Sequence, residues 1–137
     1  MEKKYFTVVI LLIAVMMFVL PLNAQVAVKK ALTLEAAKKV AAAAESEALK
    51  NKWTMVIAVV DDGGNLVFLE RIDNTQIGSI EVAIQKAKTA ISFKRSTKVY
   101  EDMVASGRMT ILSLPGAIPF DGGLPLIVDG QFIGAIG

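Results

Sequence analysis

Ser79, Val82, Lys86, Thr89 and Phe93 recur at spacings of three and four, and the row they form is half polar. Residues so spaced share one helix face, so the row can line a space with two hydroxyls and an ammonium. That chemistry suits an anionic ligand such as a propionate or a small carboxylate. It equally suits a lysine whose stem covers apolar surface while its ammonium reaches water. Arg71 and Asp73 flank the end of a predicted strand. The guanidinium fits bidentate carboxylate binding, and an internal Arg71–Asp73 pair fixing the loop explains the same residues. Asp121-Gly122-Gly123 can bring bare backbone N–H groups toward an anion, or serve as a turn before Leu124. Tyr100, Met103 and Met109 are the softest metal-ligating groups, although methionines there ordinarily fill cores. Trp53 reads as an anchor at a strand entry.

The 137-residue chain contains neither cysteine nor histidine. Disulfides, Cys-x-x-Cys-His haem attachment, thiolate zinc sites and histidine triads are all excluded. A metal is left with oxygen ligands, methionine, lysine or tyrosine, and an imidazole general base is not available.

Hydrophobic residues make up 54% of the chain, with a concentration at its start. A short charged opening, Met1-Glu2-Lys3-Lys4, precedes a run of 15 from Phe6 to Leu20 that is apolar but for Thr7, closed by Pro21. Spanning a bilayer takes about 20 apolar residues, so the run reads as a secretory signal ending at Ala24. The expected division is a signal over residues 1–24, a solvated leader over 25–31 carrying Lys29-Lys30, and one domain over 32–137. The mature protein is then periplasmic or secreted, with no stable membrane anchor. Its charge of +1, from 13 basic and 12 acidic residues, gives no reason to seek nucleic acid.

The elements that position the candidate groups follow from patterning. Thr33 caps a helix over Leu34–Lys50 with an alanine stripe, Ala37, Ala41, Ala44 and Ala48. Met55–Val60 and Asn65–Arg71 flank Asp-Asp-Gly-Gly and form a hairpin, with Leu66, Phe68 and Glu70 facing one way and Val67, Leu69 and Arg71 the other. A second helix spans Thr75–Phe93, and a third runs from a Ser96 or Thr97 cap to Ala105, ended by Gly107. Arg108–Pro119 is an irregular crossover ending in a short strand near Ile118. Leu124–Val128 and Gln131–Ile136 flank Asp129-Gly130 as a second hairpin. Three helices and about five strands joined by hairpins make an α+β domain.

Four segments in this order carry a resemblance: Leu32-Thr33-Leu34-Glu35-Ala36-Ala37; Ile57 to Val67 with Arg71-Ile72-Asp73; Ser79 to Ala83 with Lys86-Ala87 and Thr89-Ala90; and Phe120 to Leu126 with Gly134-Ala135-Ile136-Gly137. Together they resemble the GlcG/HbpS-like haem-binding family, which includes the carboxy-terminal domain of PduO-type proteins. The resemblance implies a profilin-like core, a five-stranded antiparallel sheet with packed helices, assembled into homo-oligomers. It further implies a non-covalent haem or related tetrapyrrole, or an accessory role in glycolate or diol metabolism. The expected function is an exported small-ligand binding protein; the alternatives are an oligomeric accessory protein without catalysis and, weakest, an enzyme. Asn65 stands where members often carry histidine, so no histidine-ligated iron is expected. Members also usually continue past the final glycine, so a domain cut short at its end is expected.

Overall fold

A computed structural model describes Tyr5 and residues 27–137. Apart from Tyr5, the expected export signal lies outside the described residues. The first helix, α1, spans Leu34–Lys50, and the Thr33 hydroxyl accepts the Ala36 N–H at 3.1 Å as its cap. Ala37, Ala41 and Ala48 are buried. Alanine lets the helix axis approach closely, and α1 packs on Ile57, Val59 and Phe68.

Strands β1 (Val56–Asp61) and β2 (Leu66–Arg71) form the expected hairpin. Its turn is organised by one carboxylate. Asp61 Oδ1 accepts the N–H groups of Gly63 at 2.9 Å and Asn65 at 2.8 Å, and the Asn65 amide donates to both carboxylate oxygens at 3.1 Å. These donors, the Asn65 backbone N–H foremost, hold the Asp61 carboxyl below its ordinary range. Asn65 is thereby a turn-forming residue. A bulge sets Val59 opposite Phe68 but Val60 opposite Leu66, leaving Val67 as the extra residue. Val67 therefore joins Phe68 in the cluster under α1, a departure from strict alternation.

The second hairpin, β3 (Leu124–Val128) and β4 (Gln131–Ile136), turns through Asp129 and Gly130, both at positive φ (49° and 76°). The two hairpins pair side by side as expected, in the order β2-β1-β4-β3, antiparallel throughout. Ala58 and Gly137 exchange two backbone bonds of 2.8 and 2.9 Å at the end of the β1–β4 seam.

The fifth strand does not form, so the sheet has four strands among the described residues. The crossover winds into a 3₁₀ turn at Met109–Ser113, turns again at Pro115 and Gly116, and continues without a partner strand. A helix side chain takes the place of a ladder. The Thr89 hydroxyl donates to Gly116 O and accepts from Ile118 N–H, both at 3.1 Å.

Helix α2 spans Ser79–Phe93 and begins one turn later than expected. Thr75 is instead held in the approaching loop, where its hydroxyl donates to Met55 O at 3.1 Å. Ala83, Ala87, Ala90 and Ile91 of α2 cover the sheet face opposite α1, against Val56, Ala58, Val60 and Ala135. Helix α3 (Lys98–Ala105) docks through Tyr100, edge-on to Phe93 at 5.6 Å. Gly107, at φ 88°, lies beyond its end as expected. One expectation fails at the periphery. Trp53 is 54% exposed and anchors nothing. The described part of the leader is strapped across both turns, with ion pairs Lys29–Asp62 and Lys30–Asp129 and a bond from Lys30 N–H to Gln131 Oε1 at 2.9 Å.

Glu70 lies on the α1 side of β2, opposite Ile57 and beside Glu45. Burial, reinforced by the Glu45 carboxyl, raises its pKa above the ordinary glutamate value. The folded state thus favours protonated Glu70. That contribution is complete below the ordinary value and is lost as pH rises through the raised one. Glu70→Gln is expected to raise the thermal midpoint at pH 7 and to flatten the loss of stability that sets in as pH rises above the ordinary glutamate value. Melting curves at several pH values check this; an unchanged pH slope in the variant contradicts it.

Candidate functional site

A cleft of ≈ 340 Å³ opens beside the first half of β1, where α1, α2 and the β3–β4 hairpin converge. Its floor comes from Met55, Val56 and Ile57, which are apolar because β1 is the central run of the sheet. Ala44 of α1 and Ala83 of α2 keep the side walls low, and Leu124, Ile136 and Gly137 close the far end. Gly137 closes tightly on α2, since a Cβ on it would stand 2.3 Å from Ala83 O.

The polar lining comes from one helix face and one loop. Ser79 and Lys86 line the cleft, joined by Val82 between them and by Gly122. This part of the predicted row is brought together as its spacing implied. The Lys86 stem extends along Gly122, so that a Cβ there would sit 3.3 Å from Nζ. Gly122 has φ 110°, its N–H bonds to the Asp121 carboxylate at 2.6 Å, and the Asp121 N–H bonds to Glu101 Oε2 at 2.9 Å. Lys86 takes part in none of the ion pairs formed among the described residues.

Other predicted site residues fall elsewhere. Thr89 is fully buried, and both functions of its hydroxyl are spent on the crossover, so it cannot face a ligand. Gly123 is buried, with its N–H bonded to Thr97 Oγ1 at 2.8 Å; it offers no bare donor to an anion. Arg71 and Asp73 are exposed, outside the cleft lining, and do not pair with each other. Their strand end lies across β1 from the cleft, with Arg71 opposite Val56. Conversely, Thr54, Met55, Ala44, Leu124 and Gly137 line the cleft and were missed. The alanine stripe pointed to Ala44; for the rest, patterning carries no signal distinguishing a wall from core.

A second hollow of ≈ 380 Å³ lies under the leader. Its lysines are already engaged, Lys29 and Lys30 by aspartates and Lys94 by the Phe132 ring at 5.5 Å. The first cleft is the better site because it couples apolar walls to a single cation.

The apolar walls and the single ammonium of the cleft suit the edge of an apolar body that bears a carboxylate. To an iron ion this lining offers the Met55 thioether, the Lys86 amine and the hydroxyls of Thr54 and Ser79. Tyr100, Met103 and Met109 are absent from its walls, and Tyr100 is 3% exposed with its hydroxyl pKa raised by burial. Among the described residues no cluster of three acidic ligands could hold a metal ion, and no helix is long and apolar enough to cross a membrane.

Known proteins share this arrangement of elements. Protein GlcG of Escherichia coli K12 is 42% identical over 109 residues, covering 80% of this chain and 81% of its own. The crystal structure of an HbpS double mutant from Streptomyces reticuli superposes with a TM-score of 0.74 at 32% identity, covering 87% of this chain and 81% of that one. The crystal structure of a PduOC–haem complex superposes at 0.69 with 28% identity, covering 79% and 81%. The family described as haem degrading protein HbpS-like matches residues 32–137. Reaching from the Thr33 cap through both hairpins, that match identifies the chain as a member of the HbpS-like family.

Proposed function

We propose that this protein is an exported carrier of a small carboxylate-bearing ligand of the haem or tetrapyrrole type. The observation that carries the reading is Lys86, a cation that pairs with no carboxylate among the described residues, extended along a mostly apolar cleft. A ligand with a greasy body and an acidic edge satisfies both parts. The body displaces water from Val56, Ile57 and Leu124, while a propionate meets the ammonium. At ≈ 340 Å³ the space is near the lower end of ligand sites, so it takes an edge of a macrocycle and leaves the rest outside. Membership of the HbpS-like family and likeness to a haem complex support the same choice. Binding is non-covalent and uses no histidine.

Haemin titration of residues 25–137 tests the proposal. A saturable shift of the Soret band at one haemin per chain is expected; a spectrum identical to free haemin, or a non-saturating shift, removes it. Leu124, Ile127 and Val128 expose apolar side chains along edge strand β3, which supports association of copies into a homo-oligomer. Light scattering is expected to give a mass above that of one chain, and a monomeric mass at micromolar concentration rejects that part.

A further inference from the structure

The loop that shapes the Lys86 side of the cleft is held by a buried threonine. Thr97, at the start of α3, is fully buried. Its hydroxyl oxygen accepts the Gly123 N–H at 2.8 Å, and its own N–H donates to Gly123 O at 3.0 Å. This two-bond clasp draws the Gly122–Gly123 backbone hard against α2. A Cβ on Gly123 would fall 2.5 Å from Lys86 O and 2.6 Å from Thr97 Cγ2. The residue held in this way is the immediate neighbour of Gly122, the surface along which Lys86 extends.

We propose that Thr97 is a positioning residue for the ligand carboxylate: its clasp on Gly123 fixes the Gly122 wall that keeps the Lys86 ammonium at the cleft mouth. A lysine side chain has four rotatable bonds, and restraining it against a fixed wall leaves less ordering to be done when an anion arrives. Without the clasp, Gly122, at φ 110° and lacking a side chain to pack, is tied locally only by its bond to Asp121. Thr97 itself reaches no ligand, because it lies behind Gly123 and outside the cleft lining. The inference rests on the carboxylate reading of Lys86.

The experiment compares haemin with haemin dimethyl ester on the folded protein, since the ester keeps the macrocycle and removes the charge. The wild type is expected to prefer the free acid by about tenfold or more, the yield of one charge-assisted contact. Thr97→Val keeps the shape and removes the acceptor, and is expected to cut that preference at least threefold while leaving affinity for the ester unchanged. Thr97→Ser restores the oxygen and is expected to retain the wild-type ratio. A merely structural threonine would weaken both ligands equally, so an unchanged ratio in Thr97→Val overturns the inference with the Lys86 reading intact. No preference for the acid in the wild type overturns both. If Thr97→Val does not fold, Thr97→Ser decides: its Cγ2 methyl is gone but its oxygen remains, so a lost acid preference assigns the effect to packing and rejects the clasp.

Discussion

Gly134→Ala is expected to lower the unfolding free energy by about 3 kcal/mol, the upper range for overpacking a tight interior. The thermal midpoint should fall by on the order of 10–20 °C for a domain of this size. Gly134 lies in β4 opposite Asp61 at the central seam of the sheet. A methyl there would stand 2.3 Å from Val60 O and 3.0 Å from Leu32 Cδ2. The first contact is with backbone in the buried core of β1, which cannot yield without parting the β1–β4 ladder. Its φ lies outside the positive range, so the cost is steric crowding alone. Gly78 provides the comparison: it precedes α2 with φ −59° and nothing within 4 Å of an added Cβ. Gly78→Ala is expected to leave the midpoint within about 0.5 kcal/mol of wild type or slightly above it. Urea titration of the two variants measures the difference, and equal midpoints would show that the two hairpins do not meet as closely as described.

How far the sequence reveals this depends on the range of the interaction that decides each feature. Local rules sufficed for α1, whose Thr33 cap and alanine stripe act within a few residues, and for the turn at Asp129-Gly130. They sufficed again for Ser79 and Lys86, because helical spacing alone puts both on one face. Thr89 shows where the reasoning stops. It shares that helix row, yet the crossover passes directly over it, and bonds to residues 116 and 118 turn a candidate lining group into a buried clamp. The missing fifth strand has the same cause: Ile118 finds its partner on α2, so no ladder is needed there. Val67 was misplaced because a bulge is one extra residue, and nothing in the hydrophobic alternation of β2 marks it. Gly123 looked like an anion cradle because a glycine pair is free to be one. Only the arrival of Thr97 from another element settles its role.

Lys86→Met is expected to weaken haemin binding by about tenfold to a hundredfold, corresponding to the loss of one charge-assisted hydrogen bond. Methionine keeps most of the unbranched stem that packs along Gly122, so the apolar wall survives and the change isolates the ammonium. The loss should shrink for haemin dimethyl ester, which has no carboxylate to offer. It should also shrink as salt is added to the wild type, because Lys86 is only half-buried and its field is screened. Thr89→Val separates site from scaffold. It removes the hydroxyl that links Ile118 N–H and Gly116 O in a half-buried contact and is expected to cost about 1–2 kcal/mol of stability. Its haemin affinity, measured on folded protein, should match wild type, since Thr89 has no face on the cleft. Opposite outcomes, with haemin affinity intact in Lys86→Met and lost in Thr89→Val, would move the ligand from this cleft to the far side of α2 beneath the crossover.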